Sequence, residues 1–324
     1  MKMNDAVRAG MQQDVHEVKN DAANEVANEA ANEATLAVAS AMQHITVVIL
    51  TYNRAAELQR TLERMLFAAS VPRIVVVDNA SSDGTAQMLR ARFPQVGLLS
   101  LPANIGAAAR NAGAAAVDTD YIAFSDDDTW WADGSLERAV ALMENHPDVA
   151  VLCARVLVGE EEREDPTCTA MAASPLPAQG LPGPALLGFL AGASVMRRAA
   201  FLEAGGYEPR FFIGGEEGLL ALDLVARGWR IAYVPELTVH HHPSSLRDSV
   251  TRKRCLLRNA LWICWMRLPF ALALRESLRL LRDAGRDGVM WSGLRVALGG
   301  LPWALRRRRV VPRDVVLQYR RLHG

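Results

Sequence analysis

The chain contains 324 residues, half of them apolar, and its 36 basic side chains are matched by 36 acidic ones. That is enough apolar material for one large hydrophobic core or two modest ones. Its four cysteines form no CxxC pair, its N-terminus has no apolar export segment and no apolar run is long enough to span a bilayer, so we expect a cytoplasmic protein.

Residues 1–42 differ in composition from the rest of the chain. They are rich in Asn, Glu and Ala, with a near-repeat in NEVANEAANEA, and their apolar side chains are too small to anchor a core. Such a composition is typical of a solvated segment. We predict a tail that is disordered or partly helical.

From Ile45 onward, short apolar strands alternate with segments of helical periodicity. The β-branched run ITVVILT at 45–51 is typical of a strand buried on both faces. Further strands are predicted at 74–78, 96–101 and 121–125, with helices between them. This alternation with short connections predicts an α/β fold with a mostly parallel central sheet.

The second half of the chain has three parts. Residues 159–184 begin with an acidic run and contain five prolines, which predicts a mobile loop. The following segment, to residue 245, has the periodicity of a strand, two helices and a strand. From about residue 250 the pattern is that of basic amphipathic helices. We therefore predict an α/β domain over 43–245 and a helical C-terminal extension over 246–324.

Polar side chains follow three of the predicted strands directly. They are Thr51, Tyr52 and Asn53 after the first strand, Asp78 and Asn79 after the second, and Asp126, Asp127 and Asp128 after the fourth. Ligands of open α/β sheets bind beyond the carboxyl ends of the strands. The three groups therefore predict one composite site.

The three adjacent aspartates repel one another unless a positive charge lies among them. A hard cation with oxygen ligands, Mg²⁺ or Mn²⁺, would relieve the repulsion and bridge to phosphate oxygens. Alternation along an extended segment predicts that Asp126 and Asp128 point the same way and Asp127 the other. The alternative is a solvated acidic turn in which Asp128 and Thr129 cap the next helix.

The segments ITVVILTYNR, IVVVDNASSDGT, NIGAAARNAG and YIAFSDDDT, in this order, resemble the family 2 glycosyltransferases of GT-A fold. The later segment GGYEPRFFIGGEE and the region of His240 are similar to the second half of the same family. The resemblance covers about residues 45–245. It implies a Rossmann-like domain with a nucleotide-sugar half at about 43–130 and an acceptor half at about 131–245.

The resemblance also implies roles for individual residues. A UDP-, dTDP- or GDP-linked sugar donor would bind at the strand ends, with Asp128 and Asp126 beside a Mn²⁺ or Mg²⁺ ion and His240 as a further metal ligand. The donor-binding residues would be Thr51, Tyr52, Asn53, Asp78, Asn104, Arg110, Asp126 and Asp127. The metal would act as a Lewis acid on the departing nucleoside diphosphate.

The acceptor half supplies the base in this family, usually from a Glu-Asp pair that opens a helix after a Gly-Gly-aromatic turn. Here the pair is Glu216 and Glu217, and position favours Glu217 as the base of an inverting transfer, with Glu in place of Asp as a departure. A favourable charge at a helix N-terminus is the structural alternative. Gly192, Ala193 and Ser194 would form the acceptor side.

The C-terminal region is strongly basic. From His241 to Gly324 there are 18 Lys and Arg against 5 Asp and Glu, a net charge of +13. Basic amphipathic helices containing Trp suit peripheral contact with the inner face of an anionic membrane, where a lipid-linked acceptor would lie. The alternative is packing against the acidic catalytic domain. No nucleic acid is expected, because no nucleic-acid-binding module accompanies the charge.

The sequence therefore predicts an enzyme that moves a sugar to a hydroxyl acceptor in polysaccharide, glycolipid or related glycoconjugate synthesis. A non-catalytic nucleotide-sugar binding or scaffold protein stays open, because Glu217 replaces the usual Asp. A nucleotidyltransferase is disfavoured, since no Gly-rich phosphate loop with Arg or Lys follows the first strand.

Overall fold

The computed structural model describes residues 36, 38–68, 70–243, 249–286 and 288–323. The tail predicted for residues 1–42 lies almost wholly outside these described residues. Residues 42–324 form one compact unit.

Within the described residues, nine strands form one mixed sheet in the order β3-β2-β1-β4-β8-β6-β9-β5, with β7 paired to β6. The first four in this order are parallel, β8 is antiparallel to both of its neighbours, and β6 and β9 are parallel. The strands are β1 (Ile45–Thr51), β2 (Arg73–Asp78), β3 (Gly97–Ser100), β4 (Tyr121–Asp126), β5 (Thr129–Trp131), β6 (Val149–Val158), β7 (Arg163–Glu164), β8 (Ala193–Arg197) and β9 (Arg230–His241).

Helices cover the sheet and continue into the C-terminal region. They are α1 (Ala55–Leu66), α2 (Thr85–Arg92), α3 (Ala109–Ala116), α4 (Ser135–Asn145), α5 (Pro166–Ala172), α6 (Arg198–Ala204), α7 (Glu216–Val225), α8 (Ser249–Arg267), α9 (Phe270–Arg286), α10 (Met290–Arg306) and α11 (Arg313–His323), with short 3-10 turns at Gly106–Ala108 and Pro209–Phe211. The predicted α/β fold with a helical C-terminal extension is confirmed.

The prediction of a mobile loop over residues 159–184 is wrong for its first half, which contains β7 and α5. The Asp165 side chain accepts a hydrogen bond from the Thr167 amide at 2.8 Å, and Pro166 occupies the first turn. Asp followed by Pro is a helix-start signal. Cys168 and Met171 then bury the inner face of this helix.

The C-terminal helices pack on helix α7, which begins with the predicted acid pair. Leu222 of α7 shares a buried cluster with Cys264, Leu268 and Val315. The Arg267 guanidinium also donates to the Asp223 carboxylate of α7 at 2.8 Å. The C-terminal extension therefore shares a hydrophobic core with α7. No helix in the described part of the chain is both long and apolar enough to cross a membrane.

Candidate active site

The acidic cluster lies where β4 ends, at the carboxyl edge of the parallel part of the sheet. Register pairs Asp126 with Leu50 of β1, and Thr51 with Asp78 of β2, so three strand ends meet at one edge. The Thr129 hydroxyl accepts a hydrogen bond from the Asp126 amide at 2.8 Å and closes a turn after the strand. The predicted composite edge is thus present.

The prediction that Asp126 and Asp128 point the same way is wrong, because the strand ends at Asp126 and a turn follows. Arg54 donates to Asp127 and to Asp128, each at 2.9 Å. The Thr51 hydroxyl also donates to Asp127 at 2.9 Å. The Asp126 side chain is 40% exposed, against 6% and 2% for the other two. Only Asp126 is therefore widely open to a ligand.

A second arginine neutralises the exposed aspartate. The guanidinium of Arg110, on α3, is buried and donates to the Asp126 carboxylate. Gly192 lies against the same carboxylate, since a Cβ there would come within 2.7 Å of an Asp126 oxygen. Gly192, predicted on the acceptor side, is thus brought to the cluster.

Burial changes the proton affinity of Asp127. Burial raises the pKa of Asp127 to about 7, and the Asp128 and Asp126 carboxylates act in the same direction. Arg54 and the Thr51 hydroxyl act against this rise. Desolvation disfavours the charged form of a carboxyl even where a cation is adjacent.

The residues predicted to bind the nucleotide tie the strand-end loops together. The Asn53 side chain accepts a hydrogen bond from the Ser82 amide at 2.7 Å. Asp78 is buried and accepts from the Ser81 amide at 2.9 Å. Tyr52 is exposed beside them. Asn53 and Asp78 thus shape the loops, and Tyr52 presents an open aromatic ring at this edge.

Asn104 belongs to a network that precedes α3. Its side-chain oxygen accepts from the Asn79 side chain and from the Gly106 amide, both at 2.9 Å. Gly106 in turn lies against Phe212, because a Cβ there would fall 1.9 Å from the Phe212 carbonyl oxygen. The Ala107 amide donates to that carbonyl at 2.7 Å. The loop that leads into α3 and the loop that leads into α7 are therefore in direct contact.

Glu216 and Glu217 open helix α7 after two glycines in the left-handed region, Gly214 and Gly215, each with φ of +85°. Glu216 is buried and Glu217 is half-buried. Burial raises the pKa of Glu216, and the adjacent Glu217 carboxylate adds to the rise. Burial also raises the pKa of Glu217, while Arg110 opposes it. Both groups therefore have a greater proton affinity than an exposed Glu.

Arg110 connects the acid pair with the acidic strand end. Its charge interacts with Asp126, Tyr207, Glu216 and Glu217. Three buried polar atoms in this group, Nε of Arg110, the hydroxyl of Tyr207 and Oε2 of Glu216, have no hydrogen-bond partner among the described residues. Buried polar groups are normally satisfied, so a ligand or ordered water is expected here.

Two asparagines hold the segment over residues 207–214, which precedes α7. The Asn111 side chain of α3 exchanges two hydrogen bonds with the Tyr207 backbone, both at 2.8 Å. The Asn259 side chain of α8 is fully buried and donates to the carbonyls of Phe211, Ile213 and Gly214 at 3.0, 3.2 and 2.5 Å. The C-terminal extension therefore supports the loop that leads into the acid pair.

The structure does not bring His240 to the acidic cluster. His241 has Nε2 at 3.6 Å from Oδ1 of Asp128, whereas His240 stacks on Trp130 and pairs with Glu162 at 3.0 Å. Side chains alternate along β9, so adjacent histidines point to opposite faces. Of the two histidines, His241 is therefore the one that lies at the acidic cluster, and the metal-ligand role of His240 stays a prediction.

Ala193 and Ser194 lie on β8, inside the sheet. They pair with Ser125 and Phe124 of β4, and both are buried. The Ser194 hydroxyl donates to the Ala191 carbonyl at 3.3 Å. These two residues pack the strand behind the site, and Gly192 alone of the predicted acceptor triplet contacts the cluster.

The oxygen ligands at this edge of the sheet fit a divalent cation that the protein and a phosphate hold jointly. Asp126 offers an exposed carboxylate, whose oxygens Mg²⁺ and Mn²⁺ accept as ligands, whereas Asp128 is 2% exposed and paired with Arg54. No group of three or more His, Cys, Asp and Glu side chains within the described residues is arranged to hold a metal by itself. A diphosphate would have to supply further oxygens, as Mg²⁺ sites commonly require.

Several site residues were not assigned from sequence: Arg54, Asn111, Tyr207, His241 and Asn259. Arg54 could have been assigned from the sequence, because three adjacent aspartates require a positive neighbour and Arg54 lies three residues after the end of the first strand. Asn259 carried no such signal, since its three partners lie 45 to 48 residues away in the chain.

The chain is similar to known glycosyltransferases in sequence and in fold. The family model described as Glycosyl transferase family 2 matches residues 46–205. N-acetylglucosaminyl-diphospho-decaprenol L-rhamnosyltransferase of Mycobacterium tuberculosis is 28% identical over 283 residues, which cover 73% of this chain and 91% of the relative.

Solved structures share the fold. S. aureus TarS in complex with UDP-GlcNAc superposes with a TM-score of 0.56 at 17% identity, covering 85% of this chain and 83% of that one. Mannosyltransferase PcManGT from Pyrobaculum calidifontis, in complex with GDP-Man and Mn²⁺, gives 0.54 at 17% identity, covering 82% and 72%. The segment 46–205 belongs to glycosyltransferase family 2, and the chain is a transferase of GT-A fold.

Proposed function

We propose that this enzyme transfers a sugar, with inversion and with the help of a divalent metal, from a nucleotide-diphosphate donor to a hydroxyl acceptor. The setting would be polysaccharide, glycolipid or related glycoconjugate synthesis. One observation carries the proposal: the buried Arg110 joins Asp126 on the donor side to Glu216 and Glu217 on the acceptor side.

The donor would occupy the carboxyl edge of the sheet. Tyr52 offers an exposed ring for the base, and the buried Asp78 ends the neighbouring strand β2. Asp126 is the open carboxylate, and Asp128 and His241 lie behind it. When bound there, Mn²⁺ or Mg²⁺ would supply Lewis-acid stabilisation of the diphosphate.

The acceptor would approach from helix α7. Glu217 is half-buried and its pKa is raised by burial, so it is accessible and basic enough to take a proton from a hydroxyl. Glu216 is buried and less accessible. The acceptor oxygen would attack the anomeric carbon while Glu217 takes its proton, and the bond to the diphosphate would break on the opposite side, which inverts the configuration.

The acceptor class is part of the proposal. The mycobacterial relative is named for a diphospho-decaprenol acceptor, and that name supports a lipid-linked acceptor for this chain. Peripheral membrane contact through the basic C-terminal region would serve such an acceptor. A nucleotide sugar linked to UDP, dTDP or GDP is the proposed donor.

The test is a screen of UDP-, dTDP- and GDP-sugars with Mn²⁺. We expect one donor class to raise the melting temperature, because a ligand that binds only the folded state stabilises it. The same donor should release nucleoside diphosphate when a lipid-linked acceptor is added. Stabilisation without release would indicate the non-catalytic binding protein, and release of sugar 1-phosphate in place of nucleoside diphosphate would indicate a nucleotidyltransferase.

A further inference from the structure

Helix α10 carries an apolar stripe on its outer side. Trp291, Leu298 and Leu305 are spaced seven residues apart, which places them on one side of a helix. Their exposed fractions are 75%, 55% and 45%. We call these three residues the outer stripe.

The opposite side of α10 packs tightly on α8, so the direction of the outer stripe is fixed. Small residues make this contact: a Cβ at Gly293 would lie 2.7 Å from Leu257, and one at Gly300 would lie 2.1 Å from Trp262. The Trp262 indole N–H also donates to the Ala297 carbonyl at 2.8 Å. The helix therefore cannot rotate to bury the outer stripe without losing this packing.

The charge around the outer stripe has one sign. Residues 290–311 contain five arginines and no Asp or Glu. Arg308 donates to the carbonyls of Trp265 and Leu268, so its guanidinium is bound within the fold. The other four, Arg295, Arg306, Arg307 and Arg309, are exposed, and none has an acidic partner within the described residues.

We propose that the outer stripe and these four exposed arginines dock α10 on the surface of an anionic lipid bilayer. An interfacial helix buries Trp and Leu at the level of the headgroups while flanking Arg residues attract anionic lipid. Nucleic acid would use the charge and leave the apolar stripe in water. The docking surface defines the membrane contact of the proposed function, but its existence does not depend on sugar transfer.

Docking through α10 has a consequence for the site. Helix α10 packs on α8, and Asn259 of α8 holds the loop that leads into Glu216 and Glu217. The acid pair is thereby fixed at a constant height above the docked surface. Such a geometry suits an acceptor hydroxyl held at the headgroup level.

The experiment is co-sedimentation of the full chain with vesicles, without donor or acceptor. Vesicles of phosphatidylcholine alone are compared with vesicles that also contain phosphatidylglycerol. We expect binding to the anionic vesicles that falls as salt rises, because exposed charges are screened. The double variant Trp291→Ser, Leu298→Ser should weaken binding about tenfold or more, since the apolar contact is removed.

A matched pair of charge variants tests the arginines. Arg306→Glu with Arg309→Glu should abolish sedimentation with anionic vesicles. Arg90→Glu with Arg138→Glu makes the same charge change at exposed positions on α2 and α4 and should leave binding unchanged. Equal loss in both pairs would overturn the proposal, because net charge alone would then explain binding.

A second apolar stripe on α9 provides the remaining comparison. Phe270, Leu274 and Leu278 are exposed along that helix. Loss of vesicle binding in Leu274→Ser, Leu278→Ser but not in the α10 variant would overturn the assignment to α10. Concentration-dependent self-association that disappears in the α10 variant, with no vesicle binding by the parent chain, would also overturn it. Thermal unfolding confirms that each variant is folded.

Discussion

Two groups of carboxylates lie on either side of Arg110, and the protein treats them differently. The aspartates after β4 form direct ion pairs, Asp126 with Arg110 and its two neighbours with Arg54. Neither member of the acid pair that opens α7 forms an ion pair with another described residue, and burial raises the pKa of both. Carboxylates held in ion pairs suit the placement of charge, whereas carboxylates that have a raised pKa and no ion pair suit proton transfer.

The largest effect should come from removing the proton acceptor. Glu217→Gln keeps the shape of the side chain and should lower the transfer rate by about 100-fold to 10,000-fold, the usual contribution of a general base. Donor affinity, measured by calorimetry, should stay unchanged because the proposed donor site lies at the strand ends. Glu216→Gln is the matched control and should cost less. A larger loss in Glu216→Gln would transfer the role of base to Glu216.

The next effect concerns the ion pairs after β4. Arg54→Met removes the guanidinium that pairs with the buried Asp127 and Asp128 and should lower the free energy of unfolding by about 2 to 4 kcal/mol. Urea denaturation at neutral pH measures this difference. Arg60→Met removes only the exposed pair with Glu57 and should cost less than about 1 kcal/mol. Equal losses of unfolding free energy in the two variants would show that the ion pairs of Arg54 stabilise the fold no more than the pair of Arg60 does.

Replacing Asn259 tests whether the C-terminal extension holds the acid pair in place. Asn259→Ala leaves three loop carbonyls without this donor and should lower kcat about tenfold by misplacing Glu217. The dissociation constant of the donor should not change. Asn145→Ala removes an exposed amide that bonds only the Ala141 carbonyl, and it should change neither value. A parallel loss of donor affinity would indicate general unfolding, and assays are therefore run well below the melting temperature.

The smallest effect is a shift in pH dependence. The base acts only when ionised, and its folded-state pKa is raised above the ordinary 4.5, so the acid limb of kcat/KM should lie above pH 4.5. Glu216→Gln removes the second carboxyl of the pair, and the pH at which kcat/KM falls on the acid side should change in that variant. An unchanged limb in that variant would assign it to another group, such as Asp127.

Local features of the fold could be predicted from the sequence. Strand β1 was predicted at its observed bounds because a β-branched run is ended on both sides by polar residues. The alternation of strands and helices fixed the α/β class in the same way. Helix α5 was missed because its acidic and Pro-rich surroundings masked the Asp165-Pro166 start signal.

Features that depend on tertiary register could not be predicted. The repulsion among the three aspartates indicated a positive neighbour, but only the folded chain shows that Arg54 and Arg110 provide it. The choice between His240 and His241 depends on which face of β9 meets the turn after β4. The contacts of Asn259 depend on helix packing between distant segments.

The hydrogen bond from the Ala107 amide to the Phe212 carbonyl has a consequence for substrate binding. It fastens the loop after Asn104 to the loop before Glu216, so neither can shift without displacing the other. A donor that reorganises the first loop would then change the affinity for the acceptor. By thermodynamic reciprocity the acceptor would change the affinity for the donor by the same factor. The two substrates of this enzyme would therefore bind cooperatively.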